Sequence, residues 1–434
     1  MSSITPTIQS ERIVVLDILR GIAILGILLM NMPSFSLPGV VGHDPSTLNE
    51  SGINYYIWYV VNWAFDGTQR ALFSILFGAG ILLFVGRKEN EMDGLKPADY
   101  FFRRQIWLIV LSLFDVYILL WNGDILFDYA CYGMLLFTFR KLAPKTLLIA
   151  AGICFVLILA RDNRDLYEQK KMITRGEIAA AIDTTKTNLT PKQKDELGAM
   201  TAFRERFTKE SKLKRMETSI EKVSGSYESV YDYRTSMYVD NLIEYTYFQC
   251  WDVLMFMLFG MALFKMGILT GNASIKIYFW MTVIGLGAGL TLSYFQVQTQ
   301  VEIGFNWFDY MKEVPFQYYQ ITRALRTVGI FGVIMLLYKS GWFTWFFSML
   351  RSVGQMALTN YLTQSLICSI IFNGFAFGLF GKLQRYEIYL VVLGIWLFQI
   401  AFCNVWMRYF LFGPFEWVWR SLTYWKKQAF VKGL

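Results

Sequence analysis

Apolar positions along this chain gather in long, nearly unbroken runs. They form neither the short alternations of a half-buried sheet nor the one-sided stripe of a soluble helix. A helix needs about 20 mainly apolar residues to cross a bilayer, and about ten such runs can be marked. Five precede a charged stretch, near 14–32, 54–86, 104–121, 125–139 and 145–160, and five follow it, near 245–267, 276–296, 318–338, 355–380 and 386–411. The second run is broken at Asp66-Gly67. The pattern predicts an all-α integral membrane protein of about ten transmembrane helices. Its five-helix halves, 1–160 and 245–434, are separated by an insert over 161–244.

The insert holds 16 basic and 15 acidic residues in 84 positions, so no part of it can span a membrane. Segments after Arg175 and after Thr190-Pro191, an N-cap followed by proline, predict helices, hence a partly helical, solvated cap. After Gly413-Pro414, aromatics alternate with cations in FEWVWRSLTYWKK, as expected of an interfacial segment. The first twelve residues precede a run that is too long for a signal-peptide core and carries Asp17 and Arg20, so a retained first helix is expected.

Composition agrees: 55% hydrophobic against 17% charged residues is more apolar surface than a soluble core of this length hides. The net charge of +8 is not a nucleic-acid footprint. Arg87-Lys88, Arg103-Arg104, Arg140-Lys141-Lys145, Lys339-Arg351 and Lys426-Lys427 all fall on one side when ten helices are threaded. That side is predicted to be cytoplasmic, with both termini, and the insert outside. The five cysteines lie in or beside apolar runs, with no CxxC pair and no histidine spaced to share a metal, so no metal site is expected. Gly285, Gly287 and Gly289 offer a GxxxG-type surface that permits a homodimer. No internal repeat signals an inverted-repeat transporter.

Charges within the runs are the candidates for chemistry, because they are costly there unless paired or facing a cavity. Asp17 and Arg20 share a helix face, either as a structural ion pair or with Arg20 meeting an anionic ligand from the cytoplasm. Asp66 and Arg70 flank the break. Asp115 is either a functional carboxylate or the partner of a buried arginine such as Arg323 or Arg326. His43, the only histidine of the chain, falls in the outer loop after the first run. A lone loop histidine is commonly incidental, yet an unperturbed pKa of about 6.5 suits a general base.

The stretches RIVVLDILRGIAILGILLMN, RALFSILFGAG, GDIL, FGMALFKMGIL, GQMALTNYLTQS and GPFEWVWRSLTY resemble, in order and over nearly the whole chain, the bacterial YeiB-like family, whose domain has no assigned function. The resemblance implies a multi-pass protein of the bacterial inner membrane. The first two helices and their loop are also similar to the catalytic end of heparan-α-glucosaminide N-acetyltransferase and related transmembrane acyltransferases. The matching residues are Leu16-Asp17, Arg20-Gly21, Asn31, His43, Phe77 to Gly80 and Arg103-Arg104. Asp44-Pro45-Ser46 stand where that family has Pro-Trp-Asn-Gly.

This second resemblance implies catalysis by His43, with acetyl-CoA or another acyl-CoA as cytoplasmic donor. On that basis Asn31 would orient the imidazole or donate to an oxyanion, and Asp66 would fix the tautomer. Arg103 and Arg104, with Arg20 and Arg351, would meet the donor's phosphates. The acceptor would be a sugar, a membrane lipid or another small cell-envelope precursor. Two other classes remain open at this point. One is an exporter of a small solute with Asp66, Asp115 and the arginines of the eighth run along its path. The other is a membrane scaffold whose insert binds a protein.

Overall fold

The computed structural model describes residues 13–42, 44–183, 185, 188–244, 246 and 250–432. The described chain is helical, with one isolated bridge between Phe410 and Val431. Each predicted run meets a helix. In order these are α1 (Val14–Ser36), the short α2 (Gly39–Gly42), α3 (Ile53–Ala64), α4 (Thr68–Glu91), α5 (Lys96–Tyr117), α6 (Leu126–Leu136) and α7 (Pro144–Ala180). The insert adds α8 (Pro191–Arg206), α9 (Lys209–Val223) and α10 (Tyr227–Ile243). Then follow α11 (Cys250–Lys265), α12 (Ile275–Glu302), α13 (Trp307–Glu313), α14 (Tyr319–Ser340), α15 (Thr344–Gln355), α16 (Ala357–Phe372), α17 (Arg385–Tyr409) and α18 (Pro414–Tyr424). Six segments among the described residues are long and apolar enough to cross a membrane: α1, α3 with α4, α7, α12, α14 and α17. The remaining apolar runs form shorter or more polar helices.

One boundary differs from expectation. The fifth run was to end at 160, but α7 continues without a break to Ala180. Hydropathy stops at Arg161 while good helix formers such as Leu166, Glu168, Gln169, Lys170 and Met172 carry the helix on. The end of an apolar run therefore marks the end of the lipid-facing length, not of the helix.

A single large apolar cluster runs through both halves, with α1 at its centre against α4, α15, α16 and α17. That position explains why α1 is apolar on nearly every face. Lipid gives little drive for apolar helices to leave it for one another, so close backbone approach matters, and small residues permit it. A Cβ on Gly354 would lie 1.7 Å from the Asp17 carbonyl, and one on Gly21 would lie 2.2 Å from that of Leu350. The α4–α11 crossing has the same form, with Gly78 against Met257 and Gly260 against Ile75. Gly285 and Gly289 lie against Gly329 and Arg326 of α14, so the GxxxG face is filled within the chain.

The break between α3 and α4 is built by Gly67 at φ +70°. It leaves the last carbonyls of α3 without helical partners. Arg326 supplies donors, to Asn62 at 3.1 Å, Trp63 at 2.7 Å and Asp66 at 3.1 Å.

The insert packs on the end of the bundle opposite the basic clusters. Leu166 and Ile173 of α7, Met200 of α8 and Phe308 and Met311 of α13 form a second small core. Lys212 of α9 reaches Asp44 at 2.6 Å and the Phe305 carbonyl at 3.0 Å, and the Gly374 amide donates to the Val223 carbonyl.

Candidate functional site

A cavity of about 290 Å³ opens at the basic end of the bundle and runs inward between α1, α4, α5, α16 and α18. Its mouth carries Arg20, Arg87, Lys88, Arg104 and Arg420. Deeper in, the walls are Phe73, Phe77, Leu108 and Leu126, ending at Tyr129 and Tyr361. A cationic mouth over an apolar, aromatic shaft suits a ligand with an anionic head and a thin, weakly polar arm.

Each wall has a local cause. α18 presents Glu416, Trp419, Arg420, Thr423 and Tyr424 to the cavity, which is one face of a helix at spacings of three and four. Glu416 fixes that helix in place. Its carboxylate accepts from the Leu358 amide at 2.7 Å, the Thr359 amide at 3.0 Å and the Thr359 hydroxyl at 2.5 Å. These are the orphan donors at the start of α16, which has no side-chain cap of its own. A Cβ on Gly413 would crowd the Glu416 carboxylate and the Thr359 hydroxyl, so glycine there leaves room for their contact.

Arg104 is the distinctive charge. Its guanidinium lies between the rings of Phe84 and Trp419, 4.6 and 4.3 Å from their centroids, and the Trp419 indole donates to the Arg104 carbonyl. Among the described residues no carboxylate pairs with it. Aromatic faces hold a guanidinium in position but do not neutralise it, leaving its N–H fork free for an anion. Arg20 instead pairs with Asp17 at 3.0 Å, and Asp17 also accepts from Gln355. The ion-pair reading of Asp17 and Arg20 matches this contact, and both residues line the cavity.

The other expected residues lie elsewhere. Arg103 pairs with Asp99 at 2.5 Å and stacks near Tyr100 and Trp425, outside the cavity lining. Arg351 sits on α15 a turn before Gly354 and does not line the cavity. Asn31 is half-buried on α1, about three turns beyond Arg20. Asp66 belongs to the α3–α4 break, beside Arg326. His43 lies outside the described residues. Its neighbours in sequence are firmly held: the Gly42 carbonyl accepts from Arg385, and Asp44 accepts from Lys212, Ser46 and Thr47.

Asp115 does not partner the arginines of the eighth run. Arg323 is matched instead by Asp252 of α11, which also takes Arg70 at 2.5 Å. Asp252 escaped the sequence reading because it stands alone at the head of its run. That Arg420 and Trp419 line the cavity was missed because the C-terminal segment read as an interfacial anchor, and Arg87 because it read only as a marker of orientation. The three-and-four spacing of the C-terminal segment was the available signal.

The model of a family described as a protein of unknown function (DUF418) matches residues 263–426. The uncharacterized protein YxaH of Bacillus subtilis is 30% identical over 100% of this chain and 99% of its own length. The chain belongs to the YeiB-like family. The uncharacterized protein YeiB of Escherichia coli is 26% identical over 95% of this chain and 96% of its own. No solved structure matches the chain. The family match runs from the end of α11 through α12 to α18, so it takes in Glu416, Trp419 and Arg420 but not Arg104.

Proposed function

We propose that this YeiB-like protein is a transmembrane acyltransferase that takes an acyl group from an acyl-CoA at its basic face and delivers it to an acceptor on the opposite face. The reading is carried by Arg104, a cation without a carboxylate partner among the described residues, set in the mouth of a cavity with an apolar shaft. The positive-inside rule puts that mouth in the cytoplasm, where acyl-CoA is found, with ten passes threaded and the insert outside in a bacterial inner membrane. Phosphates would meet Arg104, with Arg20, Arg87 and Arg420 around them, and the narrow shaft would take the pantetheine arm. Transfer needs a base that removes the proton of the attacking amine or hydroxyl, and donors for the oxyanion that develops on the thioester carbonyl. His43 is proposed as that base, with Asn31 on the same helix–loop unit and Asp66 as further candidates. The acceptor class, sugar, lipid or envelope precursor, would be selected at the insert.

The exporter reading requires its charged residues to face a path. Arg323 is engaged by Asp252 and Arg326 by three backbone carbonyls, which favours the enzyme. The test is thermal unfolding of purified protein with and without acetyl-CoA. Saturable protection that is lost in Arg104→Glu supports the reading, whereas no protection in the intact protein counts against it.

A further inference from the structure

Behind the closed end of the cavity lies a buried acidic pair. The Tyr361 hydroxyl, at the inner cavity wall, donates to Asp124 Oδ1 at 3.2 Å and accepts from the Ile125 amide at 3.2 Å. The other Asp124 oxygen accepts from the Ser112 hydroxyl and from the Phe127 amide at 3.2 Å. One turn after Ser112 on α5, and within reach of Asp124 and Ser365, stands Asp115, wholly buried, whose carboxylate oxygens have no well-formed hydrogen bond among the described residues. Neither carboxylate has an ion-pair partner among the described residues. The groups facing the pair from other helices are Tyr361 of α16, Tyr238 of α10 and Trp121 before the GDIL turn, with Asp128 of α6 beyond. All are hydroxyls, an indole or another acid. Arg234, which approaches the same turn, donates to Asn122 at 3.1 Å and to the Ser34 carbonyl instead.

Two adjoining carboxylates that exclude water and lack a cation repel one another too strongly for both to stay ionised. A shared proton removes one charge and gives the unpaired oxygens a hydrogen bond. We propose that Asp115 and Asp124 bind one proton between them and that Tyr361 links this site to the cavity. A ligand group that reaches the Tyr361 hydroxyl competes with Asp124 for its hydrogen bond. Occupancy of the cavity and protonation of the pair are then reciprocally linked. The inference does not depend on what fills the cavity.

Infrared spectroscopy of the full chain in detergent, in H2O and D2O at neutral pH, tests it. The expected result is a neutral-carboxyl carbonyl band that shifts in D2O and is lost in both Asp115→Asn and Asp124→Asn. The band persists in Glu416→Gln, which removes a different buried acid at the cavity, and is displaced in Tyr361→Phe. Should an Asn variant fail to fold, Asp115→Glu and Asp124→Glu replace it, and the band must then move with the lengthened side chain. A band absent from wild type, or unmoved in all of these aspartate variants, overturns the proposal. So does a band abolished when sodium replaces choline in the buffer, since the pair would then be an ionised cation site.

Discussion

Half-buried Arg104 and buried Arg323 show how context decides what an arginine inside the bundle is for. Arg323 has a carboxylate in contact and is 1% exposed, so it belongs to the framework. Removing Asp252 leaves Arg323 uncompensated, and breaking a buried pair in this way costs about 3–5 kcal/mol. Asp252→Asn is therefore expected to lower the thermal midpoint markedly, as read by fluorescence unfolding in detergent. Arg104, held by rings alone, behaves in the opposite way. Arg104→Gln is expected to leave the midpoint of the free protein nearly unchanged while weakening acetyl-CoA binding at least about tenfold, the scale of one charge-assisted contact. The i,i+3 spacing of Asp17 and Arg20 offered their ion pair in the sequence, but nothing in it showed that Arg104 meets no carboxylate among the described residues. That distinction depends on which neighbours arrive from distant segments, here Trp419 and Phe84.

At the level of elements, the apolar runs located the helices, and the break at Asp66-Gly67 was legible because a polar residue and a glycine interrupt an otherwise continuous pattern. The extent of α7 was not legible, because hydropathy reports the solvent around a helix rather than its backbone. The glycines were visible but their partners were not: Gly21 meets α15, and Gly285 meets α14 instead of a second copy. Substitution separates these cases. Gly354→Ala forces the α1–α15 backbones apart, and such overpacking costs about 1–3 kcal/mol or more. It is expected to reduce the yield of folded, monodisperse protein sharply. Gly287→Ala, with open space around the added methyl, is expected to behave as wild type in the same size-exclusion assay. Glu416→Gln weakens the donors' anchor at the start of α16 and is expected to lower stability by about 1 kcal/mol, the usual worth of a cap.

For the whole molecule, the two ends of the bundle differ in character. One end collects cations around a cavity. The other is closed by the insert, whose Lys212 is locked to Asp44. Lys212→Ala leaves Asp44 buried without its cation and is expected to loosen α9 from residues 44–50, seen as faster limited proteolysis of the insert with the membrane bundle intact. The central claim concerns the basic end and is tested most directly by equilibrium binding of acetyl-CoA to the purified protein. Saturable binding that weakens steeply with salt and collapses in Arg104→Glu is the predicted result. Binding that is absent from wild type, or equally tight in Arg104→Glu, would contradict the account.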